Sequence, residues 1–77
     1  DEESAASSLR RALYLDPGLA MAHYALGGLA LRRGRKDEAR RHFRNAEELL
    51  SRRLNGDLAA EELLLAARSM RSLCEQG

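Results

Sequence analysis

The chain has 77 residues, of which 13 are basic and 12 are acidic, so its net charge is only +1. A chain this close to neutral has no overall field that would draw it to nucleic acid or to an anionic membrane surface. The length allows one small domain with a limited core, because a domain of about 60 residues buries only about 60% of the surface that its unfolded chain exposes.

Cysteine content and hydropathy bear on where the chain works. The single cysteine, Cys74, has no second cysteine with which to close an internal disulfide, as is usual in a reducing compartment. The longest nearly uncharged stretch, 19–31, is shorter than the about 20 residues that a membrane-spanning helix needs. We therefore expect a cytoplasmic domain without membrane insertion. Because the sequence begins at Asp1 without an initiator Met, we also expect it to be part of a longer protein.

The first predicted helix covers residues 3–15. It must end near Asp16, because Pro17 disfavours helical backbone in the residue before it and Gly18 completes a turn. Its small and apolar positions recur at helical spacing: Ala5, Leu9, Ala12 and Leu13.

The second predicted helix, 19–33, is apolar nearly all round, so it needs neighbours on several sides. Gly27 and Gly28 each cost up to about 1 kcal/mol relative to Ala inside a helix, which leads us to expect a close backbone approach there. Gly34 should end the helix in the left-handed conformation. The large apolar side chains of this helix are Leu19, Met21, Tyr24, Leu26, Leu29 and Leu31.

The third predicted helix, 36–53, carries a narrow apolar stripe and many opposite charges four residues apart, which indicate a solvated outer face. We expect its small and aromatic residues to pack against the second helix at Leu26, Gly27 and Ala30. The stripe consists of Ala39, Phe43, Ala46, Leu50 and Leu54.

The fourth predicted helix covers residues 57–75. Asn55 or Gly56 can take a left-handed turn before it, and Asp57 can cap its first free amides. The apolar face does not repeat the pattern of the preceding helices, so we interpret this helix as a cap. The face consists of Leu63, Ala66, Ala67, Met70, Leu73 and Cys74.

Small and apolar residues of the first helix recur in the third. Ala5, Leu9 and Ala12 reappear thirty-four residues later as Ala39, Phe43 and Ala46. This period is typical of the tetratricopeptide repeat, which the chain resembles over about 5–50. The resemblance also includes Leu26, Gly27 and Gly34. It departs from the consensus at His23, Ala30 and Ser51, and the last departure suggests that the array ends there.

The resemblance implies an all-α fold made of antiparallel helix pairs, as in a short tetratricopeptide solenoid with a carboxyl-terminal capping helix. The chain would form a single domain, 1–77. Within it, 1–16 would be the second helix of a preceding partial repeat, 19–54 one full repeat and 57–75 the cap. Such repeats bury their apolar faces by stacking and present a surface to partners.

More narrowly, residues 15–24, 34–35 and 39–43 look like the repeat tail of certain bacterial chemotaxis receptor methyltransferases. This resemblance implies a module that regulates or docks a linked S-adenosylmethionine-dependent domain, with a chemoreceptor or that domain as its partner. Two alternatives remain. One is a free-standing assembly or secretion adaptor. The other is nucleic-acid binding through Arg32, Arg33, Arg35, Arg40 and Arg41.

The residues alone assemble no catalytic, cofactor or metal site. His23 and His42 are the only imidazoles, and two ligands without a third make a poor metal or catalytic site. Cys74 falls on an apolar helix face, where a small core residue is expected. We therefore predict a chain that is not an enzyme by itself and that takes no cofactor or metal.

Two surfaces are predicted to bind protein. The first is a partner groove on the second helix, which should take an apolar helical or extended peptide with an acidic residue for the arginine. It consists of Met21, Tyr24, Gly28, Leu31 and Arg32. The second is a stripe on the first helix that has one visible neighbour to cover it and invites homodimerisation. It consists of Leu9, Ala12 and Leu13.

Overall fold

Four α-helices contain 81% of the residues that the computed structural model describes, which are 1–53 and 56–76. They are α1 (Glu2–Leu15), α2 (Ala20–Arg32), α3 (Lys36–Ser51) and α4 (Leu58–Cys74). The described residues contain no strand, so the predicted all-α class is confirmed. Helix ends differ from the predicted ones by one or two residues at most. Within the described ranges, no helix combines the length and apolar character that crossing a bilayer demands.

Two aspartates cap helix amino ends. The Oδ1 atom of Asp1 accepts a hydrogen bond of 2.8 Å from the backbone N–H of Ser4, at the start of α1. The Oδ1 atom of Asp57 likewise accepts one of 3.2 Å from Ala60, at the start of α4. Each bond satisfies an amide that has no partner within the helix. The predicted cap at Asp57 is therefore confirmed.

The carboxyl end of α2 is closed by the predicted glycine. Gly34 has φ +75°, and the N–H of the next residue, Arg35, donates to the carbonyl of Ala30 over 2.9 Å. This is the Schellman arrangement, which needs a residue that tolerates positive φ. Gly56 also has positive φ, as predicted for the turn before α4. Leu54 and Asn55, which were predicted to join the α3 stripe and that turn, lie outside the described residues.

Consecutive helices run antiparallel, as their packed residues show. The amino end of α2 meets the carboxyl end of α3 in one buried cluster through Ala20 and Leu50. The opposite ends of the same two helices meet in another cluster through Ala30 and Ala39. α4 runs back along α3 in the same way, because Ala60 from its first turn lies in the cluster with Leu50. The chain therefore reverses direction at each connection.

Phe43 is the centre of the α2–α3 joint and has no exposed surface. A Cβ atom added at Gly27 would lie 2.7 Å from the Cε1 atom of Phe43, which is closer than real atoms pack. The lack of a side chain at Gly27 therefore leaves the space that the Phe43 ring occupies. The expected close approach is present there, but it is made by this side chain and not by another backbone.

α2 has neighbours on three sides, since it lies beside α1, α3 and α4. Its nearly uniform apolar character is thereby explained. Leu26 was expected to pack with the α3 stripe, and that is wrong. Leu26 belongs to a buried cluster with Ala6 of α1. Adjacent residues of a helix point about 100° apart, so Leu26 cannot share the direction of Gly27.

α4 is attached to α3 by an apolar cluster and by an ion pair. Ala46 belongs to this cluster, and it meets α2 there through Ala20 and not through the expected Leu26, Gly27 or Ala30. Beside it, Glu47 is only 15% exposed and accepts hydrogen bonds from the Nε and Nη2 atoms of Arg71. The Arg71 pKa is raised, chiefly by this hydrogen bond. The buried members of the cluster are Ala20, Ala46, Leu50, Ala60, Leu64 and Ala67.

Candidate functional site: a groove between α1, α2 and α4

An open, mostly apolar concavity of about 490 Å³ lies where α1, α2 and α4 approach one another, and we call it the α1–α2–α4 groove. α2 forms its floor, while Leu9 of α1 and Met70 of α4 stand on either side. The groove is built by the chain reversals, because they bring α4 back beside α2. Its lining residues are Ala5, Leu9, Ala25, Gly28, Leu29, Leu31, Arg32 and Met70.

The floor of the groove is made of small residues at one point. Ala25 and Gly28 lie one helical turn apart on α2 and both line the groove. A Cβ atom added at Gly28 would meet nothing within 4 Å, in contrast to its neighbour Gly27. No close approach from within the described part of the chain accounts for Gly28, so the expected one is not found there.

Charged side chains border the groove where α1 begins and α2 ends. The Nε atom of Arg32 lies 3.5 Å from an oxygen of Glu2, and the Arg32 side chain is 68% exposed. Arg33 lies 3.5 Å from Glu2 and 3.2 Å from Glu3. These are surface ion pairs of small individual stability. The Arg32 guanidinium can therefore exchange its partner for another carboxylate at little cost.

The structure separates the residues predicted for the partner groove. Gly28, Leu31 and Arg32 line it together. Leu31 also packs against the buried cluster that contains Phe43, contrary to the expectation that it lies away from that core. Tyr24 was expected away from the Phe43 core, and that is wrong: it is partly buried, with its ring centroid 5.6 Å from that of Phe43 in an edge-to-face contact. Met21 is 56% exposed and lines a separate hollow between α2 and α4.

Sequence reasoning missed Ala25 and Met70 as groove residues and placed Leu9 in another role. Ala25 lies three residues before Gly28, so helical spacing alone could have included it. Met70 was recognised as part of the apolar face of α4. No local pattern indicates that this face reaches past α3 to α2, since that contact joins residues 38 or more positions apart in the sequence.

The stripe predicted for self-association is partly covered by α2. Leu9 and Leu13 pack against the buried cluster that contains Ala6, and Ala12 is half-buried. The most exposed large apolar residues of α1 lie at its carboxyl end, where Tyr14 is 85% exposed. Homodimerisation through Leu9, Ala12 and Leu13 stays a prediction.

The two histidines are brought together across the α2–α3 joint. The Nδ1 atoms of His23 and His42 lie 3.4 Å apart, and their ring centroids lie 5.7 Å apart. Burial lowers the pKa of both imidazoles, and the His42 pKa is lowered further by His23. Among residues 1–53 and 56–76, no three histidine, cysteine, aspartate or glutamate side chains form a group that could hold a metal ion.

The arginines considered for nucleic-acid binding lie close to carboxylates. Arg32 and Arg33 face the first residues of α1, as described above. Arg35 lies 4.0 Å from Glu38, and Arg40 lies 3.0 Å from Asp37. Much of the positive charge of these arginines is therefore offset by neighbouring carboxylates.

Comparison of the chain with protein-family models, with curated proteins and with solved structures gave no match.

Proposed function

We propose that this chain is a tetratricopeptide-type module that binds a protein or peptide segment in the α1–α2–α4 groove. The thirty-four-residue recurrence and the antiparallel order of helices support the proposal. The dimensions of the Cα trace, 34 × 33 × 16 Å, support it too, because about 15 Å is the thickness of two packed helix layers. On the narrower resemblance, we also propose that the module docks or regulates a linked chemotaxis receptor methyltransferase.

The open space beside Gly28 is the observation that best supports the groove as a binding site. An interior helix glycine costs about 1 kcal/mol relative to alanine, and a contact that needs the missing side chain would offset that cost. Gly27 has that contact in Phe43, but Gly28 faces open groove. A partner segment lying against the groove would supply the missing contact, because the glycine allows the closest possible approach to the α2 backbone.

The walls and border of the groove indicate the chemistry of the segment. Leu9, Leu31 and Met70 offer apolar surface, and methionine adapts its shape to different partners. Arg32 offers a guanidinium that binds carboxylates in a planar, two-pronged geometry. The partner we propose is thus an apolar segment, helical or extended, with an acidic residue positioned to reach Arg32.

A leucine placed on the groove floor tests this proposal. Gly28→Leu should fill the groove and leave the fold intact, because the position faces open space. Ser7→Leu is the matched control, since it adds the same side chain at an exposed position of α1 outside the groove. We expect Gly28→Leu alone to weaken binding of the full-length protein to a chemoreceptor cytoplasmic domain by at least about tenfold, or about 1.4 kcal/mol.

Receptor methylation by the full-length protein gives a second readout. Arg32→Glu should lower both binding and methylation, whereas Arg11→Glu, an exposed change of equal charge on α1, should not. If Gly28→Leu and Arg32→Glu both keep the helical circular dichroism and the binding of the parent protein, the groove is not the binding surface. If binding falls without any change in methylation, the module docks a partner and the proposed methyltransferase role fails.

A further inference from the structure

The geometry of the histidine pair shows how its nitrogens point. The centroid separation of 5.7 Å equals the Nδ1–Nδ1 separation of 3.4 Å plus one ring radius at each end. The two Nδ1 atoms therefore lie on the line that joins the rings, and each is aimed at the other. Their lone pairs do not converge on a third point, as the lone pairs of two metal ligands would.

Two facing nitrogens are satisfied only when one carries a hydrogen and the other does not. In the neutral pair, one ring must then be the Nδ1–H tautomer and the other the Nε2–H tautomer. A first added proton goes to the free Nε2 of the ring whose Nδ1 is the donor. The Nδ1–H···Nδ1 hydrogen bond survives that step and becomes charge-assisted.

A second proton has only the accepting Nδ1 left to occupy. It breaks the hydrogen bond and sets two imidazolium N–H groups face to face. His23 lies on the same face of α2 as Gly27, four residues further on, and His42 adjoins Phe43. The two rings are partly buried and belong to α2 and α3, so the repulsion acts across the α2–α3 joint.

We propose that the His23–His42 pair makes the α2–α3 joint acid-sensitive, keeping it closed with no added proton or one and forcing it apart with two. Because the α2–α3 joint contains the buried centre of the domain, its opening in acid would loosen the whole fold. This inference is independent of what the groove binds.

The charges around the pair have only a small effect on its protonation. Glu38 raises the His42 pKa and Arg41 lowers it by less, and both effects are smaller than those of burial and of His23. On the other side, a hollow beside His23 contains Glu48 and Arg52, which are paired at 3.6 Å. Each carboxylate thus has an arginine near it, and the repulsion between the rings is offset only in small part.

The sign of the pH dependence follows from the shifted pKa values. Both lie below the ordinary histidine value of 6.5 in the folded chain. The unfolded chain therefore takes up protons first as the pH falls. The contribution of the pair to stability is fully present above about pH 6.5, begins to fall below that value and is lost once the second proton binds.

Nitrogen-15 NMR of the histidine side chains tests the arrangement directly in the parent chain. At pH 8 we expect one ring in the Nδ1–H tautomer and the other in the Nε2–H tautomer. On acidification, the two rings should protonate in two separated steps that belong to the pair. Two rings with the same tautomer and one shared, ordinary titration step would overturn the proposal.

Urea unfolding at pH 7.5 and pH 5 tests the consequence, with His23→Asn, His42→Asn and the double variant. Acid should raise the unfolding constant of the parent at least about fivefold more than the two single-histidine effects, measured against the double variant, give when multiplied together. Fivefold is the factor that two unit charges about 4 Å apart give even in bulk water. Carboxylates contribute alike in all four proteins and cancel. An acid effect in the parent equal to that product would refute the switch. If a variant fails to fold at pH 7.5, the NMR titration of the parent decides.

Discussion

α1 and α3 both lie against α2, but they are attached to it in different ways. α3 contributes Ala39, Phe43 and Ala46, none of which has exposed surface. α1 contributes one buried residue, Ala6, together with partly exposed leucines and ion pairs at its amino end. Burial of apolar surface is the main stabilising term in folding, whereas exposed ion pairs add little. The two seams should therefore differ widely in strength.

This difference bears on the proposed function, because the weaker seam is also a wall of the α1–α2–α4 groove. A helix with few buried contacts opens locally before the rest of the domain does. A segment bound in the groove would contact Leu9 and cover apolar surface of α1. Binding should thus hold α1 in place, while the α2–α3 joint supplies a firm floor.

The largest expected effect is at the centre of the stronger seam. Phe43→Ala removes the only large side chain that is fully buried among the described residues, and it should lower the free energy of unfolding by about 3–5 kcal/mol. A domain this small has little more than that in total, so the variant should be largely unfolded at 25 °C. Thermal melting by circular dichroism measures this. A melt identical to that of the parent would show that Phe43 is not the core.

The two adjacent glycines of α2 provide a matched pair with opposite signs. Gly27→Ala should lower the free energy of unfolding by up to about 2 kcal/mol, because overpacking against Phe43 outweighs the gain in helix propensity. Gly28→Ala should raise it by up to about 1 kcal/mol, since its Cβ meets open space. Urea unfolding of both variants provides the comparison. Shifts of the same sign would contradict the assigned contacts.

The weaker seam should respond less and more locally. Leu13→Ala is expected to cost about 1–2 kcal/mol, below the usual range for a fully buried leucine, because the residue is only partly covered. Hydrogen exchange should become faster in the amides of α1 and change little at Phe43. Equal acceleration in both helices would mean that α1 and α3 unfold as one unit.

The smallest effect is expected at the surface charges of α1. The Glu3 side chain is 70% exposed and lies 3.2 Å from Arg33. Glu3→Gln should change the free energy of unfolding by less than about 0.5 kcal/mol, and less still at high salt. Urea unfolding at low and at high salt checks this. A larger loss would mean that charge, and not apolar contact, attaches α1 to α2.

Much of this fold could be predicted from local sequence patterns. Pro17 and Gly34 marked helix ends, Asp57 marked a beginning, and apolar spacing marked the faces of four helices. These signals act within one or two turns of backbone, where the preferences of a residue depend on near neighbours. For this reason the predicted helix boundaries agree with the observed ones to within two residues.

The contacts that form the candidate site could not be predicted from local patterns, because they depend on which helix each α2 residue faces. Leu26 and Gly27 are adjacent and both apolar, yet one packs on α1 and the other lies under Phe43. Nothing in their immediate sequence distinguishes the two partners. The same holds for Tyr24, which was assigned to the groove and lies against the core.

The sequence by itself determined that this chain forms four amphipathic or apolar helices, where each one ends and which glycines interrupt them. Only the tertiary structure decided which helix faces meet, that Gly27 is filled from within while Gly28 is left open, and that the two histidines point at each other. The physical reason is range: helix ends depend on backbone conformation and capping over a few residues, whereas the groove and the histidine pair depend on contacts between residues 19 or more positions apart.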